Sequence, residues 1–571
     1  MSSSSSDIRV VVGIDFGTTY SGYAYAHKSN PNEIKAQDSF KGHFVHGIYK
    51  TPTVIRYDDD SYTNVNSWGF PALEGRPDKR RSPSHPSTSR PIELFKLLLL
   101  GSVLTDKPFI PDKLDYKKVI SDYLKELRKD VKKTIESHWL LDFHENIMIV
   151  LTVPAEFNDN AISILRECAL NAELIKEKDS GNLIFTTEPE AAAIHSMDSL
   201  KKEHKLKPGD SFMIVDCGGG TVDLTTRELT EDDKLLEITE RSGDFCGSCC
   251  IDKEFVEFLG KNIGKGAIDN LKENRYTDLQ YLVQEFCARA KIPFTGQSES
   301  FETFDIDLDE KEYKVIKECI EDDKKKDELA GKEWMIEVKF EDVKKMFDPI
   351  IERIFTLIRG QLGQLKRRSK KVSVILLVGG FGGSKYLQSR IKNEFTTEVS
   401  DISVSTEPIV AIMKGAVKYG LEEEIVKSRI LKWTYGTDVV RKWQPTDPLS
   451  QKLPNGCIKV FEILAERGKQ VSLSDKVIRY FKPYSIQRKM GFNMYVTSSN
   501  SAEYFNDSEI KLLREWEIKM NSSSSLDDYD EDDDIDIISL SLGFGQVEIC
   551  ATAENSKTGD KHEVTFKQDF A

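Results

Sequence analysis

The sequence has little cysteine and no long apolar run. Nine cysteines are scattered over 571 residues, an odd and sparse set that does not fit a disulfide scaffold. No stretch approaches the roughly 20 apolar residues that a membrane helix needs. The start, Met1 followed by Ser2 to Ser6, carries no hydrophobic signal segment. We therefore expect a cytoplasmic protein with no membrane partner.

Positive charge is also in short supply. Lysine and arginine number 80 against 95 aspartates and glutamates, which gives a formal net charge of −15. Proteins that bind nucleic acid broadly favour a basic face, so we expect no nucleic-acid partner. A chain of 571 residues exceeds what one hydrophobic core usually holds, and two or more domains are expected.

One dense cysteine cluster, residues 246–250, has CxxC spacing. Zinc sites of this kind need a second pair of ligands, and no CxxC or HxxxH follows at zinc-finger spacing. We interpret the cluster as small residues in a packed turn.

One motif occurs twice, at residues 10–21 and 212–223. Each copy is an apolar β run that ends in an aspartate, Asp15 or Asp216, followed by a turn of glycine and hydroxyl residues and a second strand. Glycine lets backbone N–H groups approach phosphate oxygens, threonine adds a hydroxyl donor, and the aspartate can hold hydrated Mg²⁺. Two such hairpins that face each other would clamp the phosphate chain of a nucleotide.

A third segment, residues 372–384, is an apolar strand that enters a glycine-rich turn. Because the turn has no side chains to block a flat base, we predict that it seats the adenosine. Between these motifs, amphipathic patterns predict helices at 116–139 and from 161 to about 174, next to strands at 146–153 and 182–187. Alternating strands and helices favour a mostly parallel sheet with a hairpin at one side.

These motifs, with residues 149–159 and 187–194, resemble those of the heat-shock 70 family of actin-like ATPases, in the same order. Residues 93–96, 381–384 and 414–421 are more similar to the divergent twelfth branch. The resemblance covers nearly the whole chain. It implies an α/β fold: a two-lobed actin-like ATPase (a duplicated ribonuclease H-like fold) at 8–425 and a smaller β-rich domain at 426–571. We expect residues 1–7 and the acidic loop 521–536 to be disordered.

The resemblance also implies a site for ATP or ADP with Mg²⁺. Asp15, Lys96, Glu188 and Asp216 would be catalytic. Asp15 would hold the metal, as would Asp216 and Glu188 through water, and Lys96 would position the attacking water. The remaining nucleotide contacts would come from Gly17, Thr18, Thr19, Tyr20, Gly218, Gly219, Gly220 and Thr221 at the phosphates, and from Lys291, Gly379, Gly380 and Ser384 at the adenosine.

Two departures from the family pattern bear on function. Ala288 and Ile292 replace charged residues that would flank the adenine, and Ile162 replaces an arginine that relays nucleotide state to the substrate domain. The predicted function is an ATP-binding, slowly hydrolysing, chaperone-like switch that acts on protein clients or regulatory partners. A nucleotide-binding scaffold without turnover and a sugar kinase of the same superfamily are the alternatives. The sequence leaves the oligomeric state open.

Overall fold

A computed structural model describes most of the chain. It covers residues 7–42, 46–59, 61–73, 90–103, 107–422, 424–472, 475–481, 489–504, 507, 509–519, 537–543, 547–556, 559 and 561–565. The acidic loop 521–536 and residues 1–6 of the expected disordered start lie outside the described residues. Within those residues, no helix is long and apolar enough to cross a membrane.

The first part of the chain begins with six short strands, and helices and strands alternate after them. Its strands are β1 Val10–Phe16, β2 Tyr20–His27, β3 Lys35–Ala36, β4 Thr51–Pro52, β5 Val54–Tyr57, β6 Val65–Trp68, β7 Ile92–Glu93, β8 Ile147–Val153 and β9 Leu183–Thr187. Its helices are α1 Phe70–Leu73, α2 Tyr116–His138, α3 Asp159–Asn171 and α4 Glu188–Glu203, with a 3₁₀ segment at Phe95–Val103.

The second part also begins with strands, four in a row, and continues with helices and further strands. Its strands are β10 Ser211–Cys217, β11 Val222–Leu229, β12 Leu235–Glu237, β13 Ser242–Asp244, β14 Phe304–Asp307, β15 Met335–Val338, β16 Val374–Val378 and β17 Asp401–Val404. Its helices are α5 Cys249–Ile263, α6 Lys265–Asn274, α7 Tyr276–Phe286, α8 Lys314–Glu318, α9 Asp323–Ala330, α10 Phe340–Arg367, α11 Gly379–Gly382, α12 Lys385–Phe395 and α13 Ala411–Leu421, and a π turn follows α7 at Cys287–Lys291.

The last part is formed by strands. They are β18 Val426–Ile430, β19 Thr434–Lys442, β20 Cys457–Ala465, β21 Gln470–Ser472, β22 Lys476–Phe481, β23 Lys489–Thr497, β24 Lys511–Lys519, β25 Ile538–Gly543, β26 Cys550–Asn555 and β27 Lys561–Thr565.

Two sheets of the first and second parts share a local topology. In the first sheet, β1 pairs antiparallel with β2 and parallel with β8, which pairs parallel with β9. In the second, β10 pairs antiparallel with β11 and parallel with β16, which pairs parallel with β17. Strand, hairpin partner and two parallel neighbours thus recur, and each hairpin turn lies at the carboxyl end of its first strand.

Helices α4 and α13 lie between these two sheets. Successive residues of a strand point to opposite faces, and Val11 of β1 and Ile214 of β10 pack in one core with Ala192 of α4 and Ala416 of α13. The alternate residues of β1 pack instead against α2. Both faces of β1 are therefore covered, which explains its continuous apolar run.

Two four-stranded sheets follow, in the orders β20-β19-β23-β24 and β22-β25-β26-β27. Residues of both share one core that includes Tyr435, Phe492 and Leu540. Strands β18 and β21 do not belong to these sheets, because β18 pairs with β12 and β21, at one end of the second sheet.

The last part also contacts the first through a buried ion pair. Arg166 of α3 donates from Nε and Nη2 to Oε1 and Oε2 of Glu548, at 2.7 and 2.5 Å. Arg166 is 1% and Glu548 4% exposed, so this contact ties α3 to a segment near the chain's end.

Candidate functional site

The two hairpin turns meet face to face. A Cβ added to Gly219 would collide with the hydroxyl of Thr19, and one added to Gly220 would lie 2.6 Å from Thr18 Oγ1. The second turn is therefore made of glycine where the first turn packs on it. The structure brings together the two segments that the repeated motif predicted.

The aspartate at the end of each first strand lies beside this junction. Asp15 and Asp216 are each 2% exposed. Gly379 has a φ of 78°, in the left-handed region that favours glycine, and a Cβ there would collide with Asp216 Oδ1. The glycine-rich turn after β16 therefore reaches the second hairpin through a residue that must be glycine.

Asp223 is a further carboxylate at this place. It lies opposite Asp216 in the β10–β11 pairing, and its Oδ1 accepts a hydrogen bond from the Ala155 amide at 2.7 Å. Sequence reasoning missed it as a site residue, although it ends the second copy of the motif.

Lys96 and Glu188 form a buried pair next to these aspartates. Lys96 Nζ donates to Glu188 Oε1 at 2.6 Å, and the two side chains are 2% and 9% exposed. The 3₁₀ segment after β7 carries the lysine, and Glu188 begins α4, whose N-cap is Thr187. The predicted neighbourhood of these two residues is thus present.

A second lysine, Lys50, reaches the site from the residue before β4. Its Nζ donates to Asp15 Oδ2 at 2.5 Å, and its side chain is 15% exposed. Sequence reasoning missed Lys50, because no motif marks it and the pairing of β4 with β2 is a tertiary contact.

Burial shapes the electrostatics of this cluster. It raises the pKa of Glu188, against the attraction of Lys96. It also raises the pKa of Asp216 well above its usual range and that of Asp223 to about 7, with neighbouring carboxylates adding to the effect. Burial alone would lower the pKa of Lys50, but Asp15 and the other carboxylates raise it overall.

Two carboxylate oxygens of the cluster suit a cation. Asp216 Oδ1 and Asp223 Oδ2 are buried and have no hydrogen-bond partner in the structure. Such oxygens are the ligands that Mg²⁺ prefers, directly or through its waters, so the residues fit a hydrated magnesium ion. Across the described ranges, no three His, Cys, Asp or Glu side chains are grouped so as to hold a metal ion.

The residues predicted at the adenosine have different environments in the structure. A Cβ at Gly380 would meet nothing within 4 Å, so open space lies beside this turn. Ser384 caps α12 by accepting from the Leu387 amide at 3.4 Å. Lys291 is engaged elsewhere, since its Nζ donates to Ser248 O at 2.7 Å and to Asp252 Oδ1 at 2.6 Å.

The remaining predicted phosphate contacts lie in the two turns. Gly17 and Gly218 open them, Thr221 is buried, and Tyr20 is 48% exposed. The cysteine cluster packs against the second turn, where the amides of Ser248 and Cys249 donate to Gly218 O and Gly219 O at 3.1 and 2.8 Å. The interpretation of this cluster as a packed turn is confirmed for residues 246–248, whereas Cys249 and Cys250 begin α5.

Comparisons with known proteins place this geometry in context. A family described as "Domain of unknown function (DUF8340)" matches residues 205–403. The chain is 25% identical to heat shock 70 kDa protein 12A of Mus musculus, over 97% of this chain and 91% of the relative. It is 24% identical to heat shock 70 kDa protein 12B of Homo sapiens, over 96% and 89%.

The similarity to a bacterial relative covers less of both chains. Chaperone protein DnaK of Thermotoga neapolitana is 24% identical, over 81% of this chain and 69% of the relative. The similarity to the 12A and 12B proteins spans nearly the whole chain, as the motifs predicted. The resemblance to the heat-shock 70 family is therefore confirmed, since the chain is similar to the 12A and 12B proteins over nearly its whole length.

Proposed function

We propose that the protein is an ATP-binding, slowly hydrolysing, chaperone-like nucleotide switch. The observation that carries this proposal is the meeting of the two hairpin turns around buried Asp15 and Asp216, with the Lys96–Glu188 pair beside them. The printed names of the relatives, heat shock and chaperone proteins, support the same class.

The proposal includes the finer architecture. The two sheets with the same local topology would be the halves of a two-lobed actin-like ATPase over residues 8–425, and the two four-stranded sheets would form the smaller β-rich domain of residues 426–571. The shared layer of α4 and α13 supports this reading, because it gives both halves one common core.

The phosphate chain of ATP would lie between the two turns. Backbone amides of Thr18, Thr19 and the second turn's glycines are suited to cradle phosphate oxygens. Mg²⁺, when bound, supplies positive charge that neutralises the phosphates. Asp15 would hold it, and Asp216 and Glu188 would hold its waters, as befits an ion that keeps much of its hydration shell.

Hydrolysis would then depend on positioning. Glu188 orients the Lys96 ammonium, which donates a hydrogen bond to the attacking water. Asp216 Oδ1 is buried and accepts no other hydrogen bond, and it would take the proton of that water.

The adenosine would lie at the turn that follows β16. Gly379 brings this turn against Asp216, and the space beside Gly380 leaves room for a flat ring. The protein would act in the cytoplasm on protein clients or regulatory partners. These would sense its nucleotide state through the last part of the chain, which contacts α3 and the second sheet.

One set of measurements tests the proposal. Calorimetric titration with ATP, with and without Mg²⁺, measures binding, and single-turnover hydrolysis measures the chemistry. We expect ATP binding and a slow, Mg²⁺-dependent release of phosphate that hexoses do not change. Binding without hydrolysis would favour the scaffold, a rate that rises steeply with a hexose would favour the kinase, and no binding would refute the proposal.

A further inference from the structure

Lys50 is held in place by the first hairpin. The adjacent strand β4 pairs with the start of β2, where Ser21 lies opposite Thr51. Just beyond β4, the Thr53 amide donates to Thr19 O and the Thr53 hydroxyl to Gly17 O, both at 2.8 Å. The backbone around Lys50 is therefore fixed to the same turn that we propose for phosphate binding.

A glycine makes room for the lysine's stem. Gly22 lies opposite Asp15 in the β1–β2 pairing. A Cβ on Gly22 would lie 3.0 Å from Lys50 Cγ and 2.5 Å from Tyr49 O. The missing side chain at Gly22 thus opens the passage along which Lys50 crosses β2 to Asp15.

The charges of the cluster are unequal. The cluster holds four carboxylates, those of Asp15, Glu188, Asp216 and Asp223. It holds only two ammonium groups: that of Lys96, which bonds Glu188, and that of Lys50, which bonds Asp15. A nucleotide would add several negative charges here. An ammonium has three donors, so Lys50 is able to hold Asp15 and a phosphate oxygen at once.

We propose that Lys50 is a further phosphate-binding residue. Its ammonium group supplies part of the positive charge that would otherwise come from Mg²⁺. It bonds Asp15 in the structure, and it donates to the terminal phosphate when ATP binds. This inference rests on the proposed ATP site. Its consequence is measurable: ATP binding keeps much of its strength when the divalent cation is removed.

Three variants test the inference. Lys50→Met removes the charge and keeps most of the stem, and Lys50→Arg keeps the charge. Lys35→Met is the matched control, because Lys35 is a more exposed lysine on the same sheet, paired with Glu33 at 3.1 Å. Affinities for ATP and ADP are measured by calorimetry in Mg²⁺ and in EDTA, and thermal unfolding checks that each variant folds.

We expect the parent to bind ATP in EDTA. Loss of a charge-assisted hydrogen bond should weaken ATP binding by Lys50→Met about ten- to hundredfold in EDTA. The loss should be smaller in Mg²⁺ and smaller for ADP. Lys50→Arg and Lys35→Met should bind like the parent.

The opposite results separate the two proposals. If the parent binds ATP with Mg²⁺ but Lys50→Met binds as the parent does in both buffers, Lys50 only braces Asp15 and this inference alone fails. Tighter binding by Lys50→Met would show that the lysine blocks the site, and it would overturn the inference equally. A parent that binds no ATP in either buffer would refute the proposed function and this inference with it.

Discussion

Substituting Arg429 tests whether the segment after α13 is locked into the second sheet. Arg429 lies in β18, is 4% exposed, and donates to Glu190 Oε1 at 2.6 Å. Glu190 is fully buried in the first turn of α4. It also accepts from Arg227 Nη2 and from the Thr186 hydroxyl, each at 2.9 Å. Burial alone would raise the pKa of Glu190, but the two arginines lower it to about 2, so the carboxylate is charged throughout the neutral range.

The size of the effect follows from this geometry. Removing one partner of a buried ion pair costs about 3–5 kcal/mol, because the other charge is left in a site without water. We expect Arg429→Met to fall at the lower end, about 3 kcal/mol, since Arg227 and Thr186 still bond Glu190. That energy corresponds to a local opening equilibrium about a hundredfold larger.

Hydrogen–deuterium exchange of the β18 amides measures this opening. The control is Lys427→Met on the same strand, whose partner Asp232 is at 2.8 Å and whose side chain is 43% exposed. Exposed pairs contribute about 0–1 kcal/mol, so the control should exchange nearly as the parent does. Equal exchange in the two variants would mean that the buried pair does not hold β18, and the reasoning would be wrong.

Three other predictions concern the site and the contact with α3. Asp15→Asn and Asp216→Asn should each lower Mg²⁺-dependent single-turnover hydrolysis by about a hundredfold or more, and a parent-like rate in either would contradict the two-hairpin site. Gly380→Val should fold normally, because a Cβ there meets nothing within 4 Å, yet lose ATP affinity while binding of tripolyphosphate persists; unchanged ATP affinity would move the base elsewhere. Burial, with Glu548 nearby, raises the pKa of Asp159 from 3.8 to about 6, so its stabilising contribution is lost as pH rises through about 6. Asp159→Asn should therefore raise the midpoint of thermal unfolding more at about pH 8 than at about pH 5, and an equal gain at both would argue against a raised pKa.

Local patterns predicted much of the fold. The helix expected at 116–139 is α2 Tyr116–His138, and the strands expected at 146–153 and 182–187 are β8 and β9. An apolar stripe with steps of three and four residues, or an unbroken apolar run, is set by the nearest core and is visible in the sequence. The repeated turn of aspartate and glycine was also predictable, because the residues that form it are adjacent in the sequence.

Other contacts between distant segments were not predictable. Lys50 reaches Asp15 only because β4 pairs with β2 and Gly22 leaves a passage. The resemblance implied a boundary at 425, and it did not show that β18, which follows this boundary, pairs with β12 of the second sheet. The burial of Arg429 depends on its contact with Glu190, which is distant in the sequence. Likewise, the sequence has Ile162 where the family pattern has an arginine. It does not show that Arg166, one turn later on α3, pairs with Glu548.

The place of β18 has a consequence for synthesis of the protein on the ribosome. β12 gains its outer neighbour only when Val426–Ile430 has emerged, and β18 gains its own when Gln470–Ser472 follows. Until then β12 is an open edge, which invites pairing with other chains, and Glu237 lacks the amide of Ile430 that donates to it at 2.8 Å. A nascent chain that has reached residue 425 is thus still an aggregation-prone intermediate, in need of protection until about the next fifty residues have been added.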